Sequence, residues 1–165
     1  MNDNQERAIA WVIKKEVNPG EEETGAYHCE PGDRGGCTKF GIAQKWHPNI
    51  NVEFLTRKQA IEIYAAEYWQ PIGGDALPTG VDLVVLDLAV TSSPGRALKV
   101  LQAVSVGGPS ANLLISFYSE ARRKFYVAIA LKDPTQEKFL RDWIKRANQT
   151  EIEAKKWRGI EPTAL

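Results

Sequence analysis

Val81 to Val90 is apolar at every position except Asp82 and Asp87. A surface helix alternates an apolar stripe with a polar face, and this run has no polar face to give to water. It is expected to be a buried central helix, which commits the rest of the chain to packing around it. The flanking signals are helical too. Thr56 with Gln59 makes a capping-box pattern that opens a helix through about Tyr68. Pro94 opens another to about Val104. After the Gly107-Gly108-Pro109 turn, one long helix from about Ser110 to Lys132 and a last one to about Trp157 are expected. Phe40 to Trp46 reads as a short helix closed by Pro48. Strand signal is slight, so the fold class is mainly α, with a possible small β-hairpin near Tyr27 to Ile42. Asp87 sits where an unpaired charge would be very costly, so it needs a partner, either backbone or an arginine.

The chemistry concentrates at the other end of the chain. A first helix is expected over about Asn4 to Val17. Its apolar residues Ile9, Val12 and Ile13 are spaced i, i+3, i+4, and Glu16 takes the i+7 place on that stripe. Burial against apolar walls disfavours a charged carboxylate and raises its pKa, which suits a general acid near neutral pH. The plainer alternative ends the stripe at Ile13 and leaves Glu16 solvated in the last turn. A loop rich in glycine follows, with Gly20, Gly25, Gly32, Gly35 and Gly36 permitting tight turns and close backbone approach. It carries Tyr27, His28, Asp33 and Thr38. A short carboxylate and a hydroxyl across a Gly-Gly pair can hold one water opposite an acid, as an inverting glycoside hydrolase requires. Equally, Asp33 can bond local amides of a turn while Thr38 starts a strand.

Asp33-Arg34-Gly35-Gly36-Cys37-Thr38-Lys39-Phe40-Gly41-Ile42 resembles the D-P-G-G-A-T-K-Y-G-I signature of glycoside hydrolase family 108, lysozyme-like N-acetylmuramidases of the phage endolysin type. Tyr68-Trp69-Gln70-Pro71 through Asp75-Leu77-Pro78 resembles the family's Y-W…D-x-L-P. Asp87-Leu88-Ala89-Val90-Thr91 to Leu101-Gln102 resembles its D-x-A-V-N…L-Q. Ala121-Arg122 to Phe125-Tyr126, with Phe139 to Arg146, is similar to the peptidoglycan-binding segment that accompanies the family. The resemblance runs from about Ile9 to Asn148. It implies a lysozyme-like helical domain over 1–104 and a C-terminal peptidoglycan-binding helical part over 105–158 packed into the same compact unit; the tail over 159–165, with Pro162, is expected to be loose. The resemblance also implies cleavage of the β-1,4 bond between N-acetylmuramic acid and N-acetylglucosamine without a metal or organic cofactor. Glu16 would be the acid, with Asp33 and Thr38 positioning water. Tyr27, His28, Gly36, Trp69 and Asp87 are the expected substrate-binding residues.

Two departures stand out. The family carries its acid in a compact E-G-G-Y, whereas Thr24-Gly25-Ala26 precede Tyr27 here. Either the loop has grown and Glu16 is the acid, or Glu23 has slipped into that role. The helix end V-I-K-K-E favours Glu16, and the run Glu21-Glu22-Glu23 reads as a solvated face. Thr91 stands where the family commonly has Asn.

Zero net charge gives no case for nucleic-acid affinity. No apolar run is long enough to span a bilayer, so no stable membrane insertion is expected. The polar first residues predict no signal peptide, so the expectation is synthesis in a host cytoplasm, action on peptidoglycan in the periplasm after release, and a monomer. Cys29 and Cys37 are expected to form a disulfide in an oxidising compartment and to stay reduced in the cytosol. With His28 and His47 they offer zinc ligands, but at no standard zinc spacing. Two other readings compete: a non-catalytic glycan-binding or particle-structural protein of the same fold, and a zinc-dependent amidase or peptidase.

Overall fold

The computed structural model describes residues 3–29 and 35–159, which form two compact units dividing between Trp69 and Gln70. In the first, α1 (Asp3–Glu16) buries Ala8, Ile9, Val12 and Ile13 almost completely, so the apolar stripe is its core-facing side. A hairpin follows, β1 (Thr38–Lys39) against β2 (Ile42–Ala43), with Thr38 opposite Ala43 and Lys39 opposite Ile42. Phe40 and Gly41 make the turn at φ +53° and +76°. Positive φ at both central positions is what a two-residue hairpin of the right-twisting kind demands. The expected helix from Phe40 to Trp46 is therefore replaced by a hairpin limb and a 3-10 turn over Gln44–Trp46. Local apolar content suggested a helix there, and the left-handed pair at 40 and 41 forbids it. Burial of the Phe40 ring, 1% exposed, holds this conformation. The ring lies over Gly25, where an added Cβ would stand 2.6 Å from it.

Thr56 caps α2 (Arg57–Tyr64) reciprocally: its hydroxyl accepts from the Gln59 amide at 3.3 Å, and its own amide donates to the Gln59 side chain at 2.9 Å. The helix does not run on regularly to Tyr68. It widens into a π turn over Ala65–Trp69, a device found mostly at functional sites.

The second unit holds α3 (Val81–Thr91), α4 (Pro94–Val104), α5 (Ala111–Lys132) and α6 (Glu137–Trp157). Every residue of α3 from Val81 to Ala89 is buried, as the unbroken apolar run predicts. Because α3 and α4 pack with α5 and α6, the compact units divide at 69/70. Asp87, wholly buried, is met by two arginines. Arg122 Nη1 lies 2.6 Å from Oδ2 and Arg146 donates to Oδ1 at 2.7 and 2.9 Å, while the Thr150 hydroxyl donates to Oδ2 at 3.0 Å. Burial pushes this carboxyl's pKa up, but the two guanidiniums outweigh it and hold it below the ordinary carboxylate range. Thr91 donates to the Asp87 carbonyl at 2.8 Å and sits 3.2 Å from the Tyr126 hydroxyl. No helix of the described residues is long and apolar enough to cross a membrane.

Candidate active site

Glu16 is the last residue of α1, where the buried stripe emerges, and its side chain is half-buried rather than sealed in the core. It lines a cleft of about 130 Å³ together with Thr38, His28, Glu21 and the Phe40–Gly41 turn. Residues 22 positions apart in sequence are thus brought to one opening. Two local features fix them. Gly41 lies so close to Glu16 that an added Cβ would meet Glu16 Cβ at 2.8 Å and the Tyr64 hydroxyl at 2.8 Å. The Tyr64 hydroxyl donates to the Phe40 carbonyl at 2.9 Å. So α2 clamps the hairpin turn, and the turn supports the stem of Glu16. Thr38 is held from the other side by paired backbone bonds with His28, 3.0 and 2.8 Å. Immediately beyond that pair, Cys29 and Cys37 are joined in a disulfide.

The π turn brings a phenol into the same electrostatic environment. The Tyr68 ring lies 5.6 Å from that of Tyr64. Its pKa is raised, first by burial and then by the negative charges of Glu67 and Glu16.

Glu21 was hidden in what reads as a solvated acidic run, yet it lines the cleft. Its carboxylate accepts from the Asn18 amide at 3.3 Å and side chain at 3.1 Å, and lies 3.7 Å from His28 Nε2. It ties the chain just after Glu16 to the strand segment that leads to Thr38. An Asn three residues before a Glu is the local signal that was available.

The other expected residues separate. Glu23 points to solvent, 81% exposed, with Arg57 3.5 Å away, so it does not share the cleft with Glu16. Tyr27 is 42% exposed and its neighbours Ala26 and His28, not its own ring, form the cleft wall. Gly36 is exposed, at φ +71°, and is not part of that wall. Trp69 and Asp87 are 0% exposed. Neither can touch a sugar: Trp69 is core, and Asp87 is committed to its arginines. Asp33 lies outside the described residues, between the two bonded cysteines in sequence.

With the cleft in view, comparison with known proteins decides its class. Residues 20–92 match Glycosyl hydrolase 108, and residues 96–148 match a Predicted Peptidoglycan domain. The region 20–92 is similar to glycosyl hydrolase 108. The hydrolase region takes in Thr38, His28 and the Phe40–Gly41 turn but begins after Glu16. The solved structure of Brucella abortus SagA is similar over 98% of both chains, at 29% identity and a TM-score of 0.73. No curated protein matches the chain. The chain is a glycoside hydrolase of lysozyme-like, mainly helical fold, and its two matched regions support a peptidoglycan-hydrolase role.

Proposed function

We propose that this enzyme is an N-acetylmuramidase that cuts the β-1,4 bond between N-acetylmuramic acid and N-acetylglucosamine. Glu16 protonates the leaving oxygen, and Thr38 with Asp33 orients the attacking water. The observation that supports it is the shared cleft: an acid at a helix end faces a hydroxyl on a rigid hairpin, with a buttressed stem beneath the acid. A general acid must be held while the glycosidic oxygen moves, and the Gly41–Tyr64 contact restricts Glu16 in that way. Water must reach the anomeric carbon from the opposite face. A short hydroxyl leaves room for it, as a long second glutamate would not. The role of Asp33 rests on sequence and resemblance.

The deciding experiment is digestion of purified cell wall by wild type, Glu16→Gln and Glu23→Gln, with the reducing ends of the products identified. Loss in Glu16→Gln alone, with N-acetylmuramic acid at the new reducing end, is the expected result. Loss in Glu23→Gln alone moves the acid to Glu23.

We further propose the biological setting of a phage endolysin, a monomer made in the host cytoplasm and acting in the periplasm after release. The resemblance to endolysins supports it. Expression inside a bacterial host, with and without a pore-forming partner, tests it: lysis only with the partner is expected.

A further inference from the structure

Trp46 and Phe54 are 70% and 73% exposed. Large rings left to water carry a hydrophobic cost, and both lie on the same small hairpin assembly as Thr38. Trp46 ends the 3-10 turn that continues β2. Phe54 ends a second 3-10 turn, Val52–Phe54, which packs on β1, and the Lys39 ammonium donates to the Glu53 carbonyl there at 2.9 Å.

These rings are not on loose loops. The Gln44 and Lys45 amides donate to the Cys37 and Gly35 carbonyls at 2.9 and 3.1 Å, tying the Trp46 turn to the segment that leads into Thr38. The Gln44 side chain donates to the His47 and Ile50 carbonyls and accepts from the Val52 amide. The His47 ring is held between the Ala43 carbonyl, 3.0 Å, and Glu67, 2.9 Å. A rigid backbone that presents exposed rings loses little entropy when something stacks on them.

We propose that Trp46, with Phe54 on the second 3-10 turn of the same hairpin assembly, is a stacking platform for pyranose rings of the glycan strand outside the scissile pair. A β-linked pyranose has an apolar face of C–H groups, and a flat ring matches it by dispersion and by its negative π face. The chemistry around Trp46 suits the same occupant. Lys45 Nζ stands over the ring, 4.8 Å from its centroid, so a cation covers part of one face and complements the carboxylates of lactyl and peptide groups on a strand stacked against the platform. The platform is continuous with the hairpin that lines the Glu16 cleft, as a polymer substrate would require. Among the described residues the flank carries no long amphipathic helix of the kind that usually lies in a membrane interface.

This inference rests on the glycan-cleaving reading of the Glu16 cleft. Its test therefore has one arm that needs no catalysis. In a Glu16→Gln background of the full chain, retention on purified peptidoglycan is compared with and without Trp46→Ala. In the active chain, KM and kcat are measured on short and long glycan strands. Trp46→Ala is expected to weaken retention and raise KM for long strands about tenfold, equivalent to about 1.4 kcal/mol. kcat should stay within about twofold. Trp46→Phe, which keeps a ring, should restore most of the binding, and Phe54→Ala should give a smaller loss. Because Trp46 is solvent-exposed, circular dichroism of each variant should match wild type. Retention and KM both unchanged in Trp46→Ala overturn the proposal. So does unchanged glycan retention with lost binding to phosphatidylglycerol vesicles, which would make the surface a membrane-docking one. Full activity in Glu16→Gln would remove the catalytic assignment and leave the retention comparison standing.

Discussion

Three positions, 16, 38 and 41, define what the cleft can do. Glu16→Gln keeps the shape of the side chain and removes the transferable proton, so cell-wall digestion should fall by about 10²-fold or more without loss of fold. Circular dichroism beside a turbidity assay separates the two. Gly41→Ala is predicted to act on the same carboxylate from below. Its Cβ would press on Glu16 and on the Tyr64 hydroxyl, each 2.8 Å away, at a backbone φ of +76°. The left-handed strain alone costs about 1–2 kcal/mol. The displacement of Glu16 should lower kcat as well, seen as a lower melting temperature together with slower turnover. A stable variant with full turnover would show that the contact is incidental. The Thr38 hydroxyl, with Asp33, is expected to give inversion. NMR of the first-formed reducing sugar should then show the α-anomer from the β-linked glycan, and an initial β-anomer would recast Asp33 as nucleophile or stabiliser.

Among the elements, the hairpin carries most of the site and was the least legible. The first helix, the capped α2 and the buried α3 follow from periodicity, a reciprocal cap and an unbroken apolar run, all readable within one stretch of chain. The Phe40–Gly41 turn is not of that kind. Its left-handed Phe40 is stabilised by a ring buried over Gly25 and a carbonyl bonded to Tyr64, 24 residues away. Glu16 was readable because its own helix marks it. Glu21 was less so: its spacing from Asn18 is a local cue to the bonds it makes there, but its place in the cleft rests on its nearness to His28. The disulfide next to the His28–Thr38 pair closes a short loop, with a separation of 8 residues, and should contribute about 2–3 kcal/mol in the chain-entropy model. Cys29→Ser with Cys37→Ser should therefore lower the melting temperature while changing turnover only modestly, since the pairing with Ala43 and the backbone bonds with His28 hold Thr38 independently. Mass spectrometry of protein refolded in oxidising buffer should find no free thiol, and two free thiols there would remove the basis for this expectation.

Across the whole molecule, each unit has its own core, and the second is organised around a charge. The need for a partner at Asp87 was legible from burial alone. Which partners they are was not, because Arg146 and Thr150 lie 59 and 63 residues further along the chain. Asp87 has a folded pKa below its unfolded value, so its pairing contributes stability that is present above about pH 4 and lost as pH falls through the folded value. Hydrogen exchange within 70–159 should accelerate over that acid window in wild type, and the acid dependence should shrink in Asp87→Asn. That variant leaves two guanidiniums facing a neutral amide, and should cost about 3–5 kcal/mol at neutral pH. The same network constrains how such a sequence is able to drift. Against a total stability of about 5–15 kcal/mol, no single step away from Asp87, Arg122 or Arg146 is cheap, although an apolar replacement of the whole set is often neutral or better. These positions are therefore expected to behave as one inherited character, exchanged together across a fitness valley or not at all.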